Sequence, residues 1–165
     1  LNVLMGVLAA KDAEDLNEVN APALAEQRGI ATEDANQSEV RDYTDMIRVT
    51  VTSSSHTASV AGTVLGNLHR PHLLEAWGQR FQVQLEDHVS MFRYHDRPGM
   101  LGRVGTLLGE NSVNIASSVV GRQPAGADAE SYAAMIVTTD TAVPDTLIRE
   151  IATSDGFVAG VTVTL

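Results

Sequence analysis

Leu1, Leu4, Met5 and Leu8 stand at i, i+3, i+4 and i+7, which places them on one face of a short helix. The segment NAPALAEQRG, residues 20–29, predicts a second helix, with Asn20 as cap, Pro22 in the first turn and Gly29 at the end. Tyr43 to Ser53 is rich in β-branched residues and sets Met46 and Arg48 against Ile47, Val49 and Val51, the alternation of a strand. His56 to Gly66 reads as its antiparallel partner across a serine-rich turn. Residues 67–86 are broken by Pro71 and Gly78 and predict a short strand–turn–strand excursion.

From Asp87 the periods sharpen. DHVSMFRY predicts a strand. Pro98 and Gly99 then open a helix whose Met100, Leu101, Val104, Leu107 and Leu108 form an apolar stripe. VNIASSVVG predicts a strand, RQPAGADAE a loop and SYAAMIVTT another strand. Pro144 opens a helix with Leu147, Ile148 and Ile151 on one face, and Ala159, Val161, Val163 and Leu165 alternate along a last strand. Strand, helix, strand, strand, helix, strand is the split βαβ, ferredoxin-like order of an α+β fold. The expected organisation is therefore a small α+β domain over 1–86 and a ferredoxin-like βαββαβ domain over 87–165. The first helix starts without a cap, so the chain reads as a piece of a longer one.

Composition narrows the function classes. The formal charge is −10, from 11 basic and 21 acidic residues. Nucleic-acid binders and anionic membrane surfaces call for clustered Lys and Arg. There is no cysteine, which excludes disulfides, a thiol nucleophile and a zinc–thiolate centre, and fits the cytoplasm.

The densest motif is DRPGMLGRVGTLLGENSVNIA, Asp96 to Ala116. Gly99, Gly102 and Gly105 are not spaced as G-x-G-x-x-G, and no Gly-Lys-Ser/Thr follows, which argues against a nucleotide loop. Gly102 and Gly105 fall inside a helix, where each glycine costs about 1 kcal/mol; tight approach of another element is the expected reason. Gly99 sits where the strand gives way to the helix. Helix N-termini hold anions through free N–H groups and partial positive charge, and a glycine lets a ligand reach the backbone. Asp96, three residues earlier, suits a zwitterion: backbone N–H groups for a carboxylate, Asp96 for an ammonium, and Asn114 for a further hydrogen bond. A plain helix cap is the competing reading of Asp96. Arg122 reads as an exposed surface charge.

Other constellations are weaker. Ser55–His56 has no evident third group to orient the base, so it reads as a serine-rich turn. His69, His72, Glu86 and His88 lack a ligand spacing, because Pro71 breaks the helix that would aim the first two together. Arg70, His72 and Arg80 are candidate anion contacts or exposed charges. No residue is expected to be catalytic and no metal is expected.

YHDRPGMLGRVGTLLGENSVNIASSVVGR resembles an ACT domain, the small module that binds amino acids, and is similar to the C-terminal ACT domain of the D-3-phosphoglycerate dehydrogenase family. DRPGMLGRVGTLLG, VNIA, VGR and VPDTLIREI carry that resemblance. VNAPALAEQRGI and SVAGTVLG resemble the intervening domain of the longer members of that family, with weak patches at 31–45 and 67–86. The resemblance implies that 1–86 is a partial intervening domain and 87–165 the ACT domain. It implies a regulatory region of an NAD-dependent oxidoreductase whose nucleotide domain lies elsewhere, with no cofactor in this part. It implies homo-oligomers formed by ACT pairing, with L-serine bound at the interface as feedback inhibitor. Tyr94, Asp96 and the backbone of Gly99, Met100 and Leu101 would hold the ligand, with Asn114 reaching it from the neighbouring subunit. A stand-alone amino-acid sensor acting on another protein is the alternative.

Overall fold

The structure, a computed structural model, describes residues 1–9, 15–35, 43, 45–122 and 131–165. They fall into two compact units, residues 1–41 and 42–165, described separately. In the first, α1 (Asn2–Ala9) and α2 (Ala21–Gln27) bury Leu8, Ala21 and Ala25, with Leu4, Met5, Leu16, Leu24 and Ile30 packed around them. The 1, 4, 5, 8 pattern thus supplies a real contact face. Asn20 does not cap α2 with its side chain. Its amide oxygen instead accepts from Asn17 N at 2.9 Å, and its Nδ2 donates to the Asp15 carbonyl at 2.9 Å, closing the turn before the helix.

The second unit contains two antiparallel four-stranded sheets. The first, in order β1 (Met46–Thr52), β2 (Thr57–Leu65), β3 (Arg70–Ala76), β4 (Gln79–Gln84), is a simple meander. The poorly marked 67–86 segment is the β3–β4 hairpin, turned at Trp77 and Gly78, both with positive φ. Across β1–β3, Arg48 donates to Glu75 at 2.6 Å.

The second sheet holds β5 (His88–His95), β6 (Ile115–Arg122), β7 (Tyr132–Thr139) and β8 (Phe157–Thr164) in the order β6-β7-β5-β8, with α3 (Met100–Glu110) and α4 (Asp145–Thr153) between them in sequence. This is the expected ferredoxin-like βαββαβ unit. Phe92, Tyr94, Ala133, Met135 and Val137 point from one face into the helices, against Met100, Val104, Leu108, Leu147, Ile148 and Ile151. The other face is covered as well: Val89 and Ile136 pack with Leu73 and Val83 of the first sheet, joined by Phe81, Leu85, Met91 and Val119. The central strand β7 is therefore buried on both faces, which explains why its sequence runs apolar without alternation.

Two expectations are corrected by this packing. Leu101 lies off the buried stripe of α3 and is 46% exposed. Gly102 and Gly105 face outward, and a Cβ on either would meet no atom within 4 Å; among the described residues no element presses on them, because α3 docks through Met100, Val104 and Leu108. In β8 the expected alternation sets Ala159, Val161 and Val163 on the face away from the helices, and a bulge opposite Arg93 and Tyr94 brings Phe157 onto the helix face beside Gly160.

Where the sheets meet, Gly121 is the tightest point. A Cβ there would lie 2.6 Å from the Phe81 ring, 2.8 Å from the Arg80 carbonyl and 3.1 Å from Gln79 Cβ. Gln79 itself is wholly buried, its amide in reach of the turn carbonyls of Ala76 and Trp77.

Two predictions follow from these contacts. Gly105→Ala should raise the stability by about 0.5–1 kcal/mol, the helix-propensity difference, whereas Gly121→Ala should lower it by about 1–3 kcal/mol through overpacking against backbone; urea midpoints of the two variants moving in the same direction would contradict this packing. The Arg48 guanidinium holds the Glu75 carboxyl below its ordinary value of 4.5. A depressed carboxylate pKa contributes stability above the unfolded pKa and loses it as pH falls through the folded one. Glu75→Gln should therefore cost about 0.5–1 kcal/mol at pH 7, and the gap between the two urea curves should close toward pH 3.

Candidate functional site

The site expected from the sequence lies where β5 ends and α3 begins. The register explains its composition. Tyr94 pairs with Phe157 on one side and Ala133 on the other, and Ala133 pairs with Arg122. Directly opposed residues share a face, so Arg122, Ala133, Tyr94 and Phe157 form one row across the sheet on its helix side. The Tyr94 ring is buried and packs on Phe157, centroids 5.8 Å apart. Burial, and then the Asp96 charge, push its hydroxyl above the usual phenol value, while Arg122 pulls it back. The hydroxyl thus senses both charges.

Asp96 extends the β5–β7 ladder by donating its N–H to the Ser131 carbonyl at 2.8 Å. It is not a cap: no side chain caps α3. Its Oδ2 accepts from Arg122 Nε at 2.6 Å. The Asp96 side chain is 17% exposed and that of Arg122 68%. Arg122 is therefore exposed, as its sequence context suggests, yet it is engaged with the central acid of the site. Sequence reading missed this role. The signal was present: Arg122 lies seven residues after Ile115, across a strand bulge, and only the register reveals which face it joins.

Gly99 forms the N-cap of α3 with φ +91°, a left-handed conformation that favours glycine, and open space surrounds the position where a Cβ would stand. Met100 is buried, so its side chain anchors the first turn while its backbone begins the helix. The turn is fixed from outside by Arg97, which donates to the Asp155 carbonyl at 2.9 Å and to its carboxylate, and by Arg103, which donates to the same carbonyl at 2.5 Å. Arg97 holds the Asp155 carboxyl below its usual range. Two motif arginines thus tie the start of α3 to the turn before β8.

Asn114 is elsewhere. It precedes β6, and its Nδ2 donates to Asp140 Oδ2 at 2.6 Å while Asp140 N donates back to the Asn114 carbonyl at 3.2 Å. Arg122, at the Asp96 end, closes the same strand. Eight residues at about 3.3 Å each put Asn114 roughly 20–25 Å from Asp96. Tyr94, Asp96, Gly99, Met100 and Leu101 come together in one copy of the chain, and Asn114 does not join them.

The remaining constellations do not converge. Ser55 Oγ and His56 Nδ1 are 2.8 Å apart in an exposed turn, where Ser53 Oγ accepts from His56 N at 3.1 Å; no third side chain orients His56 among the described residues. Arg70 donates to Gln84 and lies exposed, as does Arg80. Among the described residues no group of three or more His, Asp or Glu is placed to hold a metal, His69, His72, Glu86 and His88 included, and no helix is long and apolar enough to cross a membrane. Nor do the residues present fit NAD: the glycines run G-x-x-G-x-x-G, and an acid stands where a pyrophosphate would approach.

Residues 1–75 match the model of the D-3-phosphoglycerate dehydrogenase intervening domain, and residues 89–154 match the ACT domain. The chain is 30% identical over 156 residues to a D-3-phosphoglycerate dehydrogenase of Archaeoglobus fulgidus, covering 94% of this chain and 29% of that protein. It is 32% identical over 148 residues to the one of Methanocaldococcus jannaschii, covering 90% and 27%. With the Synechocystis protein it shares 31% over 162 residues, 98% of this chain and 28% of the other. The chain thus spans under a third of the length of the curated relatives it matches.

The Tyr94 environment gives a direct check. In an ultraviolet tyrosinate titration, with the Tyr94 step identified by its loss in Tyr94→Phe, Asp96→Asn should lower the pKa of that phenol and Arg122→Gln should raise it. The same shift in both variants would mean that the charges are not arranged as described.

Proposed function

Because this chain belongs to the D-3-phosphoglycerate dehydrogenase family and carries its intervening and ACT domains, we propose that it binds L-serine between paired ACT domains and serves feedback inhibition of serine synthesis by the parent oxidoreductase. The observation that carries this reading is that Arg122, the ion-pair partner of Asp96, and Asn114 mark opposite ends of the edge strand β6. Among the described residues, β6 has a hydrogen-bonded neighbour on one side only, β7. A free edge can pair with a second copy of itself about a two-fold axis. With that axis at Ser118–Val119, the middle of the strand, Arg122 of one copy lies opposite Ile115 of the other. Asn114 of the second copy then falls beside Asp96 of the first, and the halves separated within one chain meet across the pair.

In this arrangement Asp96 takes the ligand ammonium, the free N–H groups of the first turn of α3 face its carboxylate, and Asn114 of the other copy bonds it from across the interface. Charge-assisted hydrogen bonds are the strong kind, and a ligand shared by two copies favours the paired state by its differential affinity. The intervening-domain match over 1–75 favours this reading over a free-standing sensor.

Thermal unfolding with and without amino acids tests it. L-serine at a hundredfold over its Kd stabilises by about 2.7 kcal/mol, a midpoint rise of about 5–10 °C for a chain of this size. Alanine, glycine and valine should give much smaller rises, and Asn114→Ala should abolish most of the serine effect. An unchanged midpoint with every amino acid would dismiss the site.

A further inference from the structure

We propose that Asp96 and Arg122 together form a two-ended receptor for an α-amino acid, Asp96 taking the ammonium and Arg122 joining the first-turn amides of α3 on the carboxylate. This rests on the amino-acid reading above and adds to it the residue that sets the demand for a free carboxylate.

The ion pair leaves half of each partner unused. Only Nε of Arg122 and only Oδ2 of Asp96 take part in it. Among the described residues, neither Asp96 Oδ1 nor the two Nη groups of Arg122 has a hydrogen-bond partner. A guanidinium engaged through Nε still presents N–H donors in a planar fork that matches a carboxylate. A carboxylate engaged through one oxygen still offers the other to an ammonium.

The surroundings suit this use. Asp96 is set back, with a side chain 17% exposed, while Arg122 projects at 68%. The residue between Arg122 and Tyr94 in the cross-sheet row is Ala133, whose side chain ends at Cβ, so no long side chain fills the row beside the pair. An α-amino acid carries its cation and anion on neighbouring atoms. The acid and base of the pair, 2.6 Å apart, carry the opposite charges in the same close order.

The test is calorimetric titration of the full 165-residue chain with L-serine and with ethanolamine, which keeps the ammonium and hydroxyl of serine but lacks the carboxylate. Arg122→Gln should weaken serine binding by about 10- to 100-fold, the effect of losing a charged hydrogen-bond partner, and change ethanolamine binding by less than about twofold on the same scale. Arg122→Lys, which keeps the charge without the fork, should recover only part of the serine affinity. Asp96→Asn should weaken both ligands. Equal loss of serine and ethanolamine in Arg122→Gln would overturn the inference, since Arg122 would then act only by holding Asp96. Unchanged serine affinity in that variant would overturn it while leaving the serine reading in place. Absence of serine binding to the unaltered chain would overturn both.

Discussion

The two-sided burial of β7 is the constraint on which the ACT half depends. Ala133, Met135 and Val137 are enclosed by the helices, while Ile136 is enclosed by the first sheet. A strand buried on both faces cannot slip by one residue without exchanging its two packing surfaces. Its register therefore fixes that of β5 and β6 beside it. From that register follow the row that sets Arg122 beside Tyr94 and the distance that separates Asn114 from Asp96. The small residues of the strand matter as much as the large ones: Ala133 lets Tyr94 and Arg122 share a row without a third bulky side chain between them.

Three arginines of the second unit illustrate how one residue type serves different ends. Arg97 and Arg103 both engage Asp155 and fasten the start of α3 to the turn before β8. Their guanidinium groups contact a backbone carbonyl, a fixed partner, and a positive-φ glycine, Gly156, lies against Arg97 where a side chain would collide. Arg122 engages only one side-chain oxygen and stays largely in water.

Much of the fold was legible because the local periods are strong. The stripe of α3 and the unbroken apolar run of β7 follow from burial on one face and on two, whereas Ile47 and Val51 of the alternating β1 are exposed. The unmarked 67–86 segment still resolved into a hairpin because its turn residues, Trp77 and Gly78, separate two short runs. What could not be read was pairing at a distance. Nothing in the local sequence says that Arg122 meets Asp96, 26 residues away, or that the face of the second sheet opposite its helices is covered by the first. Gly102 and Gly105 misled for the converse reason: a helical glycine signals close packing only when a neighbour is present, and the apolar stripe that docks α3 turns them outward. Asn20 has the right type for a cap, but its amide was already committed to the turn before the helix.

Gly121 gives the ligand end of β6 a mechanical character. It precedes Arg122 directly, and the tip of the β3–β4 hairpin bears on it with no free volume between them. Close-packed interiors resist compression and pass displacement on. A shift of Arg122 by even a few tenths of an ångström therefore has no slack to absorb it at the neighbouring residue. The start of β4, at Gln79, Arg80 and Phe81, thus stands in close contact one residue from the guanidinium, and the first sheet forms the backing of that end of β6.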